Sequence, residues 1–177
     1  MRVLKKTLVI VIIIVAIPLI IALFVKKEYS VERVLTISKP QQEVFAYVKH
    51  LKNQDNYSKW VMLDPAMKKD FKGIDGTQGF IYAWDSQNKK AGKGEQEIKK
   101  ITEGERIDVE VRFKKPFEGI ANVHFITEPV SQDQTRVKWG MKGKSNYPMN
   151  FMNLFIDNML GDDLEISLGT LKGILEK

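Results

Sequence analysis

Residues 148–175, PMNFMNLFIDNMLGDDLEISLGTLKGIL, decide the fold, because here the hydrophobic period changes from two to helical. Ile156, Leu160, Leu164, Leu168, Leu171 and Leu175 recur at steps of three or four and share one side of a long C-terminal helix. Met149, Met152, Phe155 and Met159 form a second apolar line beside it. Gly161, Gly169 and Gly173 each cost about 1 kcal/mol against alanine in a helix interior. They point to a close approach to a sheet, or to a kink near Gly161.

The surface this helix needs lies upstream. Residues 106–114, RIDVEVRFK, alternate Ile107, Val109, Val111 and Phe113 with charged neighbours, the period of a half-buried strand. Five more such runs are expected between residues 67 and 143, separated by turn signals such as Asp75-Gly76 and Glu103-Gly104. Residues 78–85 place Phe80, Tyr82 and Trp84 on one face, 119–127 place Ala121, Val123 and Phe125, and 135–143 place Val137, Trp139 and Met141. Links this short join antiparallel neighbours, since a parallel crossover takes a dozen or more residues.

Ahead of them, residues 30–38 (SVERVLTIS) read as a first strand with Val31, Arg33, Leu35 and Ile37 on one side. A short helix follows. Ser38 is its expected N-cap, Pro40 lies in its first turn, and Val44, Phe45, Val48 and Leu51 form its inward face. Residues 52–59 are read as a polar loop. The expected class is α+β: strand, short helix, a six-stranded antiparallel run, and a long C-terminal helix across a curved sheet.

At the N-terminus, residues 7–25 (TLVIVIIIVAIPLIIALFV) form an uncharged run of 19 residues between lysines. As a helix it would reach roughly 28 Å, close to the ~30 Å hydrocarbon core of a bilayer. Fifteen of its residues are Val, Ile, Leu or Phe, each favouring insertion by roughly 0.3–0.6 kcal/mol. The run exceeds the ~7–15 residues of a signal-peptide core, and no small-x-small cleavage site precedes Lys26 and Lys27. The expectation is an uncleaved single-pass anchor over residues 1–27 and one domain over 28–177. Arg2, Lys5 and Lys6 favour a cytoplasmic N-terminus, which puts the domain on the periplasmic or extracellular side.

Charge excludes a nucleic-acid partner. The chain carries +6, but five of its 28 basic residues flank the anchor and all 22 acidic residues lie beyond it, leaving the domain at +1. Counterion displacement needs a concentrated basic excess that this domain lacks. The absence of cysteine excludes disulfides, thiolate metal sites and cysteine nucleophiles.

Several segments together carry a family resemblance: 34–45 (VLTISKPQQEVF), 53–60 (NQDNYSKW), 92–98 (GKGEQEI), 137–142 (VKWGMK) and 162–175 (DDLEISLGTLKGIL). The domain resembles the SRPBCC/START helix-grip superfamily, with its polyketide cyclase/dehydrase and lipid-transfer members, and is similar to bacterial members with one N-terminal anchor. The resemblance implies an apolar cavity between sheet and C-terminal helix. Lipid carriers, aromatase/cyclases and chaperone-ATPase activators share such a fold, so fold alone does not select among them.

The inward set from periodicity is Phe80, Tyr82, Trp84, Phe113, Phe125, Trp139 and Met141 from the sheet, with Met149, Met152, Phe155 and Met159 from the helix. These side chains either fill a core or line a cavity, where Met adapts to irregular ligands and Tyr or Trp offers one hydrogen bond. Only two histidines exist, His50 and His124, too few for a recognisable metal or triad spacing, and His124 is expected to face solvent. Glu95, Glu97, Asp162, Asp163 and Glu165 are the acids a cyclase could use as proton donor if buried. The favoured expectation is membrane-anchored binding of a hydrophobic or amphipathic small molecule, a lipid among the candidates, with no cofactor, metal or catalytic residue assigned. The alternatives are a protein-interaction module with a filled core, and a cyclase- or dehydratase-like enzyme using a pocket acid or Tyr82.

Overall fold

The computed structural model describes residues 2–177. An apolar helix, α1 (Arg2–Ala22), leads into β1 (Glu28–Ile37) and α2 (Gln41–Val48). A 3-10 turn (Leu51–Asn53) and two short helices, α3 (Gln54–Tyr57) and α4 (Lys59–Met62), come next. Six strands follow: β2 (Lys68–Lys72), β3 (Ile81–Asp85), β4 (Lys93–Thr102), β5 (Arg106–Lys115), β6 (Gly119–Ser131) and β7 (Gln134–Lys144). A 3-10 segment (Met149–Leu154) and α5 (Ile156–Leu175) complete the chain. All seven strands form one antiparallel sheet in the order β1-β7-β6-β5-β4-β3-β2. The first strand therefore pairs with the last, and β1 and β2 are the edges.

Three expectations about local structure need correction. The N-cap of α2 is Pro40 rather than Ser38, with no side-chain cap, because Pro40 takes the extended N-cap backbone and the Ser38 N–H is given to the Glu176 carboxylate. Residues 52–59 are helical turns instead of an open loop. The Asp75 carboxylate accepts the Leu51 and Lys52 N–H groups, and Asn53 Nδ2 donates to the Tyr47 carbonyl, so the polar side chains satisfy local backbone. The last helix begins only at Ile156, after a separate 3-10 segment, and runs on through Gly161.

Strand alternation builds the core. Ile107, Val109, Ala121, Phe125 and Val137 point inward and are buried together with Val44, Phe45 and Val48 of α2 and Leu164, Leu168 and Leu171 of α5. Fully burying each of these leucines is worth about 1.5–3 kcal/mol. Polar contacts then fix where α5 lies along β1. At its start, the Arg33 guanidinium donates to the Asp157 carboxylate at 3.0 and 3.2 Å and to the Asp157 carbonyl at 3.1 Å. At its end, Lys172 Nζ donates to the Thr36 carbonyl at 2.7 Å and pairs with Glu176.

Gly161 is explained by this arrangement, since a Cβ there would overlap the Arg33 guanidinium. Around Gly169 nothing lies within 4 Å of the place a Cβ would take. Gly169→Ala should therefore raise stability by about 0.5–1 kcal/mol, the helix-propensity gain. Gly161→Ala should lose that gain by displacing Arg33. Denaturant midpoints of the two full-length variants in detergent micelles check this; equal shifts would contradict it.

Candidate functional site

The interior is not filled. A cavity of about 430 Å³ lies between the sheet and the first turns of α5, within the ~300–1,000 Å³ range of small-molecule sites. Its sheet wall is Tyr82 and Trp84 of β3, Gln96 of β4, Val111 and Phe113 of β5, Val123 of β6, and Trp139 and Met141 of β7. Ile156 and Leu160 of α5, with Gln54, Ser58, Trp60, Val61 and Met67, line the opposite side. Lys90 and Ala91 of the β3–β4 connection, Lys115 at the end of β5, and Pro116 and Phe117 of the β5–β6 connection complete it.

Trp139 is the centre of the aromatic wall. Its indole stacks on Phe125 at 4.4 Å between ring centroids and meets Tyr57 and Trp60 edge-on, each at 5.9 Å. Its Nε1 is buried with no acceptor among the described residues, a condition that ordinarily costs about 1–3 kcal/mol. Trp84 instead donates its Nε1 to the Ala91 carbonyl at 3.0 Å and tethers the β3–β4 connection. A Cβ at Gly94 would overlap that indole, so glycine there makes room for it.

The polar groups of the wall are neutral or cationic. Gln96 Nε2 donates to Gln54 Oε1 at 2.9 Å, both residues being buried. The Tyr82 hydroxyl donates to Asp55 at 2.7 Å, and Asp55 pairs with Lys69 at 2.8 Å. Burial first, and then the Asp55 hydrogen bond, push the Tyr82 hydroxyl far above its ordinary range, so it stays protonated. Among the described residues no carboxylate lines the cavity, and no three His, Asp or Glu side chains gather into a possible metal site.

The expected site residues divide into three groups. Tyr82, Trp84, Phe113, Trp139 and Met141 line the cavity. Phe80 and Phe125 are packed in the core behind it. Met149, Met152, Phe155 and Met159 lie outside the cavity and are more than a third exposed. Placing those four in its wall is corrected, and the reason is geometric. Ile156 and Leu160 take the inward positions of α5, which leaves Phe155 and Met159 facing outward. The 3-10 segment before α5 carries Met149 and Met152 to a second, more open hollow of about 690 Å³ with Tyr29, Phe117 and Ile120.

Strand phase could have found Gln96, which alternates with the outward Glu95 and Glu97. Gln54 and Ser58 gave no such signal, since their burial comes from the α3 and α4 turns packing on α5, where the Lys59 N–H donates to Ser167 Oγ at 2.9 Å.

Neither histidine serves the cavity. His50 follows α2 and lies 3.7 Å from Asp75. His124 is on the outer face, as its strand phase requires, but it is 8% exposed rather than open to solvent. Gly140 stands opposite it in register, leaving a slot that the imidazole fills while bonding Glu32 at 2.7 Å.

The candidate acids are equally remote. Glu95 and Glu97 lie on the outer face, each bonded to Arg112 at 2.8 Å. Asp163 on α5 is shifted upward by burial but does not line the cavity. Lys114 and then Arg112 hold the Glu95 carboxyl below the ordinary 4.5, and Arg112 and then Lys99 do so for Glu97. Depressed carboxyls stabilise the fold above their ordinary range and lose that contribution as pH falls through their folded values. Arg112→Leu should raise both titration midpoints toward 4.5, most strongly at Glu97. Carboxyl NMR titration checks the direction; unmoved midpoints would refute the assignment.

No family model matches the sequence, and no curated protein sequence matches it. Solved structures do resemble it. Norcoclaurine synthase from Thalictrum flavum, in complex with dopamine and hydroxybenzaldehyde, is 11% identical with a TM-score of 0.61, covering 88% of this chain and 91% of that one. Protein CV1439 from Chromobacterium violaceum is 14% identical with a TM-score of 0.57, covering 85% of this chain and 98% of that one. Ara h 8.0201 is 13% identical with a TM-score of 0.58, covering 83% and 97% respectively. The fold is the helix-grip fold. At these identities the likeness speaks to the fold, and the chemistry has to be argued from the cavity itself.

Proposed function

We propose that the chain is a membrane-anchored carrier or receptor for an apolar or amphipathic small molecule bearing a hydrogen-bond acceptor, with a lipid as the favoured class. The observation that carries this reading is the cavity of about 430 Å³ between sheet and α5. Its walls are chiefly apolar and aromatic. Trp139 is part of them, and buried Gln54 and Gln96 add carboxamides that can hydrogen-bond a guest. Such a wall suits a guest that is mostly hydrocarbon and fixes its orientation through one or two polar atoms.

The lack of a lining carboxylate among the described residues favours binding over acid-catalysed cyclisation. The open interior likewise disfavours a filled-core interaction module.

Membrane attachment rests on α1. Its segment Lys5–Ala22 is the one helix among the described residues long and apolar enough to cross a bilayer, and side chains along it such as Ile10, Ile14 and Ile20 are exposed. With Arg2, Lys5 and Lys6 on the cytoplasmic side, the domain would stand on the periplasmic or extracellular side.

Native mass spectrometry of the full chain released from detergent micelles should reveal a retained apolar mass. Phe113→Glu, which puts a charge in the wall, should abolish retention, whereas Val34→Glu on the outer face should not. Gln96→Leu should weaken binding of the identified guest by roughly 2- to 12-fold, the equivalent of one hydrogen bond. Chain free of any guest, or a guest retained equally by Phe113→Glu, would overturn the reading.

A further inference from the structure

The end of the domain next to α1 has a composition unlike the rest of the surface. Strand register brings the start of β1, the end of β7, the start of β6 and the end of β5 together there, with Glu28 opposite Lys144, Ala121 opposite Gly143 and Phe113 opposite Gly119. Phe117 of the β5–β6 connection, Ile120 of β6, Met152, Leu154 and Phe155 of the segment leading into α5, and Met159 of α5 are all more than a third exposed. Exposed apolar side chains scattered singly need no explanation, but a cluster on one end marks a partner or a membrane. Exposed lysines border it: Lys26 and Lys27 after α1, Lys115 at the end of β5, and Lys144 at the end of β7.

The domain does not hang from α1 on a free linker. Asn150, 1% exposed, donates its Nδ2 to the Ala22 and Val25 carbonyls at 2.6 and 2.8 Å. Asn153 Nδ2 donates to the Lys26 and Lys27 carbonyls at 2.9 and 3.0 Å. The Ser145 N–H takes the Lys27 carbonyl as well, at 2.8 Å. These bonds use carbonyls at the C-terminal end of α1 and in the connection after it, groups that an unclasped helix end leaves to water. The clasp sets which end of the domain faces whatever surrounds α1.

We propose that this end is a bilayer-contact face, with the apolar cluster seated among acyl chains and the bordering lysines at the level of anionic headgroups. The proposal rests on the membrane-anchored reading and extends it to the route of entry. Phe113, Pro116 and Phe117 line both the inner cavity and the outer hollow, and Phe117 is 64% exposed. The cavity therefore reaches the surface at the face that meets lipid. A guest passes between bilayer and cavity without crossing bulk water.

The cysteine-free chain permits a direct test. Full-length Phe117→Cys, Phe155→Cys and Met159→Cys, with Asp133→Cys in the β6–β7 turn at the opposite end, are spin-labelled. They are then reconstituted in mixed phosphatidylcholine and phosphatidylglycerol vesicles. Labels at 117, 155 and 159 should collide more with dissolved oxygen than with an aqueous nickel chelate, and the label at 133 should show the reverse. Vesicle-bound protein in which all four labels favour the nickel chelate overturns the contact face while leaving the anchor intact. Dipolar broadening between copies at 155 or 159 also overturns it, by assigning the cluster to a second copy of the chain. Protein that fails to float with the vesicles overturns anchor and face together. Lipid-exposed labels in a chain that retains no guest leave the face standing and remove the ligand-binding reading alone.

Discussion

The position of α5 along the edge strand β1 is the constraint on which the rest of the domain depends. Its energy and its geometry come from different sources. Burial of Leu164, Leu168 and Leu171 supplies several kcal/mol and holds the helix beyond Gly161 on the core. The Arg33–Asp157 pair is partly exposed, with 25% and 67% of the side-chain surfaces accessible, so it contributes at most about 1 kcal/mol. Its value is directional. Arg33 grips both the carboxylate and the carbonyl of Asp157 and fixes the first turn of α5 at β1, beside Gly161. The helix is thereby pinned at the sheet's edge.

Half of the interior follows from that placement. Under the second half of α5, leucine side chains meet the sheet and close the core. Under its first turns, only Ile156 and Leu160 reach inward, and the wall opposite them carries Val111 and Val123 between larger aromatics. The α3 and α4 turns, tied to α5 through Ser167, roof this space instead of filling it. Rigid rings frame the opening, with Trp139 held by Phe125, Tyr57 and Trp60, and Trp84 held against Phe113 and Ala91. A wall of interlocked rings resists collapse better than one of flexible chains. An open volume in the interior is therefore compatible with a stable fold.

Charge is kept to the other side of the sheet. Arg112 gathers Glu95, Glu97 and Glu110 on the outer face, and Glu32 holds His124 in the slot left by Gly140. The same strands thus present ionic networks to water and an almost uncharged surface to the cavity. Lys90 of the β3–β4 connection and Lys115 at the end of β5 are the only charged residues among the described ones that line it. Phe113, Pro116 and Phe117 line both this interior space and the outer hollow.

Sequence alone determined the features that depend on neighbours in the chain. The change of period after residue 148 marked the long helix, strict alternation marked β5, and short turns required antiparallel order. Those local rules placed Tyr82, Trp84, Phe113, Trp139 and Met141 on the inner face. They could not separate cavity wall from core, because Phe80 and Phe125 obey the same alternation and are merely packed behind it. Nor could they foresee that a 3-10 segment before Ile156 would turn the methionine line outward, or that Gln54 would be buried beside Gln96. Those outcomes were decided by tertiary structure, since they depend on which distant elements meet, as when Gln54 of α3 reaches Gln96 of β4 or Arg33 reaches Asp157 across 124 residues of chain. Periodicity shows which way a side chain points; what stands opposite it is known only once distant elements have been brought together.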